Sequence, residues 1–190
     1  MIARVIFLTH AEVEIDPAVP VPEWGLSATG RQRHEAFAAD ERLDSVRAIY
    51  SSEERKAMEG AAAPAERLRL TPRRRADMGE NDRSATGYLP PEEFWPVVDR
   101  FFAEPENSVL GWEPARAAQN RIVSAVHAAM AEAPEGDLLV VAHGGVGALL
   151  RCRLAGREIT RDAGQPHPGG GCWFAFDRAT MGNLTEWTAI

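Results

Sequence analysis

Two short apolar segments that each run into a histidine constrain the fold of this chain more than any other feature. Val5–Leu8 leads through Thr9 to His10, and Leu138–Ala142 leads directly to His143 and two glycines. A continuous apolar run of this length is typical of a parallel strand buried on both faces. In open α/β sheets, ligands bind beyond the carboxyl ends of such strands. Both histidines are therefore predicted to lie at the ligand-binding edge of a sheet.

The rest of the chain alternates between strand-like and helix-like segments. Further strands are predicted at residues 46–50, 68–70, 172–176 and 184–187, and helices after Ser27 and over residues 53–68, 91–102, 113–131 and 145–154. This alternation is typical of a three-layer α/β/α sandwich with a mostly parallel central sheet. With 190 residues, a single domain is expected over residues 1–190.

Charge and composition narrow the classes of partner. The formal net charge is −7, which argues against broad binding to nucleic acid or to anionic membranes. No apolar run approaches the length of a membrane span, and a strand follows the first residues without a signal or transit peptide. We therefore expect a cytoplasmic protein. We interpret Cys152 and Cys172 as reduced thiols, and the sequence leaves a disulfide open.

Three predicted strand ends bring polar groups to one crevice. They are Thr9-His10, Ser51-Ser52 and His143-Gly144-Gly145. Histidine titrates near neutrality, and its nitrogen can attack a phosphoryl group that is held in a fixed orientation. The helix N-termini after Ser52 and Gly144 could bind phosphate oxygens through their N–H groups. A nearby carboxylic acid could protonate the leaving oxygen.

The order of these motifs resembles the histidine phosphatase (phosphoglycerate mutase-like) superfamily. That family carries Arg-His-Gly-Glu after the first strand, a Leu-Ser-x-x-Gly helix start, Ser-Ser followed by Arg and Ala, a mid-chain acidic residue and a late His-Gly-Gly. The corresponding segments here are Thr9-His10-Ala11-Glu12, Leu26-Ser27-Ala28-Thr29-Gly30, Ser51-Ser52 with Lys56-Ala57, Glu80, and His143-Gly144-Gly145. The resemblance spans nearly the whole chain.

The resemblance implies a role for each matching position. His10 would be the nucleophile that becomes phosphohistidine, and His143 would hold the transferring phosphoryl group. Glu80 would be the general acid and base, with Asp82 as its competitor because the register of this loop is open. The candidate phosphate-binding positions are Thr9, Ser52, Arg55, Lys56, Arg83 and Gly144. The implied fold is phosphoglycerate mutase-like.

The departures from the family pattern weaken the predicted phosphate pocket. The arginine before the nucleophile is Thr9, the glycine after it is Ala11, and the second arginine is Lys56. Lysine is a point charge and not a bidentate fork. Each lost transition-state donor costs on the order of 2.7–4 kcal/mol. Arg83, Arg55 or the basic cluster at residues 73–75, otherwise a surface turn, could supply the missing charge.

Two functions are compatible with these residues. The first is a metal-independent phosphomonoester hydrolase that acts through phosphohistidine on a small phosphorylated molecule, without a cofactor. The second is a catalytically weak or inactive relative that binds a phosphorylated or acidic ligand, or a protein partner. A cation close to the ring of His10 would favour the enzyme, and an acidic or sealed pocket would favour the second function. A metal hydrolase fits poorly, because no zinc-binding spacing such as His-Glu-x-x-His is present.

Other residues are assigned to structure or to the rim of the site. His34 and His127 are interpreted as structural or surface residues, and His167 as part of a loop near the rim. The aromatic-rich segment at about 82–110 is expected to cap the site and shape specificity. Its Trp95, with Trp24 and Trp112, either lines a substrate opening or packs in the core. The oligomeric state stays open, and a homodimer is compatible with the sequence.

Overall fold

The structure, a computed structural model, describes residues 2–167 and 169–190. In the described residues, six strands form one sheet with helices on both sides. The strands are β1 (Arg4–Thr9), β2 (Val46–Ser52), β3 (Arg73–Arg75), β4 (Asp137–Ala142), β5 (Cys172–Asp177) and β6 (Thr188–Ala189). The helices are α1 (Ala28–Ala38), α2 (Arg55–Leu68), α3 (Pro91–Ala103), α4 (Ala115–Glu132) and α5 (Gly144–Leu154).

The sheet has the strand order β3-β2-β4-β1-β5-β6. The first four strands in this order are parallel to one another, whereas β5 and β6 each pair in antiparallel fashion. The prediction of a mostly parallel sheet is therefore confirmed. In β1 and β4, Thr9 lies opposite Ala142, and the N–H of His10 donates to the carbonyl of Ala142 at 3.0 Å. The strand ends that carry the two histidines are immediate neighbours.

Side chains of β1 are buried on both faces of the sheet, as the continuous apolar run predicts. Val5 and Phe7 pack in a core with α3, α4 and α5. Ile6 and Leu8 pack in a second core with α1 and α2. Because helices cover both faces, the three-layer arrangement leaves the strand ends as the approach for a ligand. Within the described residues, the search for a helix with the length and apolarity of a membrane span found none.

Two predicted strands lie elsewhere in the chain. The prediction of a strand at residues 68–70 is wrong. Helix α2 ends at Leu68, and Arg69 turns the chain with a positive φ of 56°. The edge strand is instead Arg73–Arg75, the basic segment interpreted as a surface turn, and it pairs with Tyr50–Ser52. The last strand is β6 and not residues 184–187. An edge strand and a two-residue strand carry little of the apolar alternation by which strands are recognised.

Candidate active site

His10 stands directly after β1 with a defined ring orientation. Its Nδ1 lies 2.9 Å from the carbonyl oxygen of Ala11. A carbonyl can only accept, so Nδ1 carries the proton and Nε2 keeps its lone pair. Burial lowers the pKa of His10 to about 4, so the ring is neutral near pH 7. The side chain lines a cavity, which gives the site a neutral, oriented nitrogen.

Backbone contacts fix the segment that carries His10. The N–H of Gly171 donates to the carbonyl of His10 at 2.8 Å. Gly170 has a φ of +66°, and a Cβ there would lie 2.3 Å from the same carbonyl, so only glycine fits. On the other side, the N–H of Ala11 donates to Nε2 of His34 at 3.0 Å. Burial lowers the pKa of His34 to about 4, which keeps this acceptor unprotonated.

His143, at the end of β4, lies against His10 with 5.2 Å between the ring centroids. Its side chain is fully buried, and its Nε2 is 3.4 Å from Oε1 of Glu54. Within the described residues, neither ring nitrogen makes a hydrogen bond. Burial lowers the pKa of His143 to about 4. The structure thus brings the two predicted histidines together, and both rings are neutral near pH 7.

Glu54, which sequence reasoning missed, sets the charge of this side of the site. Its carboxylate lies 2.5 Å from Nζ of Lys56 and accepts the backbone N–H of Glu80 at 2.7 Å. Burial opposes its ionisation, but His143, Lys56 and these hydrogen bonds lower the pKa of Glu54 to about 2. Lys56 also donates to the carbonyl of Val21 at 2.8 Å. The ammonium predicted to bind phosphate is therefore already neutralised.

The carboxylate of Glu80 lies at the N-terminus of α5. It accepts the N–H groups of Gly145 and Val146, each at 2.9 Å. A Cβ at Gly145 would lie 2.6 Å from Oε1 of Glu80, so the glycine allows this close approach. Asp82 instead closes a turn by accepting the N–H two residues later at 2.8 Å. Of the two competing carboxylates, Glu80 is the one that lines the same cavity as His10.

Thr9 and Ser52 are buried close to the site and are engaged within the protein. The hydroxyl of Thr9 donates to Oε1 of Gln165 at 2.6 Å, and that of Ser52 accepts the N–H of Glu54 at 3.1 Å. Gln165 also lies against Gly144, where a Cβ would be 2.5 Å from its Nε2. Gln165 therefore links β1 to α5. Nothing in its Gly/Pro-rich loop marked it out in the sequence.

The two remaining candidate cations lie in different places. Arg55 forms an exposed i,i+4 ion pair with Glu59, 2.7 Å between Nε and Oε1, so the structure does not bring it to the site. Arg83 lies on the wall of the cavity, with its Cζ 5.2 Å from the ring centroid of Phe94 and 5.6 Å from that of Trp112. Within the described residues, it forms no salt bridge.

A cavity of about 480 Å³ is lined by His10, Glu80 and Arg83, whereas His143, Glu54 and Lys56 lie behind its lining. One end is formed by His10, Glu80 and the start of α5. The other end is an aromatic wall formed by Phe94, Trp95, Phe101, Phe102 and Trp112. Asn81, Arg161, Gln165 and His167 also line it. Most of the wall belongs to α3 and thus to the segment expected to cap the site.

Comparisons with known proteins agree with this architecture. Solved structures that share the fold include a mycobacterial glucosyl-3-phosphoglycerate phosphatase, 21% identical with a TM-score of 0.72, where 99% of this chain and 97% of that chain are covered. A putative alpha-ribazole-5'-P phosphatase from Escherichia coli is 19% identical with a TM-score of 0.73, covering 100% and 97% of the two chains. The phosphoglycerate mutase-like fold is thereby confirmed.

Sequence comparison gives the family directly. No curated protein sequence matches this chain significantly. The family model of the histidine phosphatase superfamily (branch 1) matches residues 5–180, which is most of the chain. The chain belongs to the histidine phosphatase superfamily.

Proposed function

We propose that this protein hydrolyses a small phosphomonoester through a phosphohistidine at His10, without a metal. The orientation of His10 carries this proposal. Its Nδ1 is engaged by the carbonyl of Ala11, and Nε2 is left as the nucleophilic nitrogen at the cavity. The ring is neutral near pH 7 because burial lowers its pKa to about 4. A nucleophile that is both deprotonated and pre-oriented needs no activation before it attacks phosphorus.

The reaction would take place in two displacements. In the first, Nε2 of His10 attacks phosphorus, the N–P bond forms, and the P–O bond to the leaving group breaks while Glu80 donates a proton to the leaving oxygen. In the second, Glu80 takes a proton from a water molecule, which attacks phosphorus and breaks the N–P bond. The inorganic phosphate takes this proton from Glu80 and leaves, and both side chains return to their starting states.

Phosphate binding would require Glu80 to move. Its carboxylate now accepts the N–H groups of Gly145 and Val146 at the start of α5. These N–H groups, at the positive end of the helix, are suited to the oxygens of a phosphoryl group. A substrate phosphate would replace the carboxylate there. Glu80 would then be released beside the ester oxygen, where its carboxylate would take up the proton of a monoanionic phosphate ester and pass it to the leaving oxygen.

The charge of the site favours a second function, which is ligand binding with weak or no turnover. Lys56 is paired with Glu54 at 2.5 Å, and Thr9 replaces the arginine that the family places before the nucleophile. Glu80 adds another carboxylate at the start of α5. A phosphate dianion meets less positive charge here than two arginines would supply, and transition-state stabilisation falls accordingly.

Hydrolysis of p-nitrophenyl phosphate in the presence of a chelator tests the proposal. We expect turnover by the wild type, a loss of at least about 1000-fold in His10→Ala, and no change in His127→Ala, an exposed histidine on α4. Quenching in alkali should trap a phosphorylated His10 detectable by peptide mass spectrometry. Turnover that survives in His10→Ala would contradict the mechanism. No turnover between pH 5 and 8, together with measurable phosphate binding, would support the second function.

A further inference from the structure

The aromatic wall of the cavity is pre-formed by packing among its rings. Trp112 and Phe101 are buried, with 6.2 Å between their ring centroids. Phe94 packs against Trp112 at 5.9 Å and against Trp95 at 5.0 Å. Trp95 is the outermost ring and is 46% exposed. The inner rings are thus fixed by the core, and Trp95 presents apolar surface to the opening.

Two guanidinium groups hold the rings in place. The Cζ of Arg161 lies 5.0 Å from the ring centroid of Trp95, and its guanidinium pairs with Asp99. Arg83 lies over Phe94 and Trp112. Such cation–π contacts orient an aromatic ring before any ligand arrives. A flat group that enters this end would find a rigid stacking surface.

Most side chains at the aromatic end are apolar. Arg161 is engaged by Asp99, and Arg83 lies over two of the rings. A polyhydroxylated leaving group would lose hydrogen bonds to water there and regain few, which costs binding free energy. Transfer of an apolar ring from water to the aromatic end would instead contribute favourable binding free energy.

Asn81 is an unpartnered donor between the two ends. It is only 7% exposed, it lines the cavity, and its Nδ2 makes no hydrogen bond within the described residues. Buried polar atoms are satisfied in nearly all folded proteins. Because Nδ2 itself is buried, the amide of Asn81 must turn towards the cavity to donate to a ligand acceptor. An oxygen of a phosphate ester, placed between Glu80 and the aromatic wall, is such an acceptor.

We infer that the substrate is the phosphate monoester of an apolar aromatic alcohol, with its ring stacked on the aromatic wall and an ester or phosphate oxygen bound by Asn81. This rests on the proposed function, because it assigns a substrate class to the same site. Trp95 determines specificity for the ring, whereas Asn81 binds an atom that every phosphomonoester has. The two residues therefore predict different changes when they are substituted.

Three primary-alcohol esters of similar leaving-group basicity test the inference: 2-(2-naphthyl)ethyl phosphate, ethyl phosphate and glucose 6-phosphate. We expect kcat/KM for the naphthyl ester to exceed that of the other two by about 100-fold, as burial of roughly 100 Å² of ring surface predicts. Trp95→Ala should reduce this preference about tenfold, and Trp95→Phe should restore most of it. Ile2→Ala, which removes an exposed apolar side chain before β1, should leave the preference unchanged.

Asn81→Ala tests the proposed hydrogen bond to the ester or phosphate oxygen separately from the stacking of the ring. It should lower kcat/KM for all three esters by a similar factor of about tenfold, because each presents the same oxygen. A change confined to the naphthyl ester would overturn the role of Asn81. Thermal unfolding of each variant shows whether the fold is intact, and half-exposed Trp95 is expected to tolerate substitution.

Failure of the inference and failure of the proposed function give different results. Hydrolysis that depends on His10 but shows no preference for the naphthyl ester would overturn the inference and leave the function standing. If no ester is hydrolysed, the function fails, and calorimetric binding of 2-(2-naphthyl)ethylphosphonate and ethylphosphonate decides the inference. Tighter binding of the naphthyl compound that weakens in Trp95→Ala supports it. Equal binding, or none, overturns it.

Discussion

The two sides of the candidate site are built in different ways. On the side of the proposed nucleophile, called the nucleophile side below, His10 is held mainly by backbone groups of Ala11 and Gly171, and His34 accepts the N–H of Ala11. On the charge side, side chains contact one another: Glu54 meets Lys56 and approaches His143. The first side provides a defined geometry, whereas the second places opposite charges together so that they largely cancel.

This difference shows which features of such a site depend on individual side chains. The backbone contacts around His10 do not involve the side chain of Thr9 or Lys56, so the position of the proposed nucleophile is formed without the arginines that the resemblance to the family implies. The attraction for phosphate, in contrast, depends on each charged side chain separately. A member of this family can therefore keep the geometry of attack while its affinity for phosphate changes greatly.

The largest expected effect is a loss of stability in acid, which tests whether both sides hold neutral histidines. Burial lowers the pKa of His10, His34 and His143 to about 4, below the 6.5 of an unfolded histidine. Their neutral burial stabilises the fold fully above pH 6.5, and this contribution disappears as the pH falls towards 4. Each contributes on the order of 3 kcal/mol. The free energy of unfolding, measured in urea from pH 7 to 4, should fall accordingly.

A matched variant sharpens that titration. His34→Gln removes one titrating group but keeps a hydrogen-bond acceptor, so its stability should depend less steeply on pH than that of the wild type. His127→Ala, which lacks an exposed histidine, should follow the wild-type curve. A wild-type stability that is constant between pH 6.5 and 4 would show that these rings are not buried in their neutral form.

The next effect breaks the nucleophile side alone. Gly170→Ala would place a Cβ 2.3 Å from the carbonyl of His10 at a φ of +66°. We expect a loss of about 3 kcal/mol of stability and a fall in kcat, because the backbone beside His10 must move. Gly87→Ala is the control, since Gly87 has a φ of +63° with nothing within 4 Å of its Cβ. It should lose only about 1–2 kcal/mol, and equal losses would contradict the close-contact argument.

A smaller effect changes the charge side alone. Glu54→Gln keeps an oxygen that can accept the N–H of Glu80 but removes the charge beside Lys56. Inorganic phosphate should then bind about tenfold more tightly, because the ammonium is no longer neutralised. Isothermal titration calorimetry measures this directly. Glu59→Gln, at the exposed ion pair with Arg55, is the charge-matched control, and equal gains in both variants would indicate a general electrostatic effect only.

The smallest expected effect belongs to neither side. Arg55 is 59% exposed and pairs with Glu59. Exposed pairs of this kind contribute less than about 1 kcal/mol, so Arg55→Ala should change stability by about 0.5 kcal/mol or less. Hydrolysis and phosphate binding should stay at wild-type levels. A clear fall in phosphate affinity would instead show that Arg55 contacts phosphate in solution.

The sequence predicts the positions of the two histidines of the site better than it predicts the net charge around them. His10 and His143 follow continuous apolar strands, and a parallel sheet necessarily brings neighbouring strand ends together. Glu54 was missed because a glutamate just before the start of a helix is common on any protein surface. Only the packed structure shows that it is buried beside Lys56. Gln165 was missed for a similar reason, since a loop carries no period from which its direction can be inferred.

The aromatic wall shows the same limit for the helical segment at residues 91–103. Its period predicted a helix correctly, and α3 begins at Pro91 as expected. Apolar spacing alone, however, does not separate a ring that packs inward from one that lines an opening. Trp112 is almost fully buried and Trp95 is about half exposed, yet both line the cavity. That distinction depends on tertiary contacts with Arg83 and Arg161.

The two ends of the sheet also affect how copies of the protein meet one another. One end is the three-residue strand Arg73–Arg75, and the other is the two-residue strand Thr188–Ala189. Unpaired strand edges invite pairing with other chains, and short, positively charged edges resist it. A strand from a second molecule that paired with Arg73–Arg75 would approach three guanidinium groups. A strand that paired with Thr188–Ala189 would find very few backbone groups with which to form hydrogen bonds. Both edges of the sheet therefore disfavour edge-to-edge aggregation between molecules.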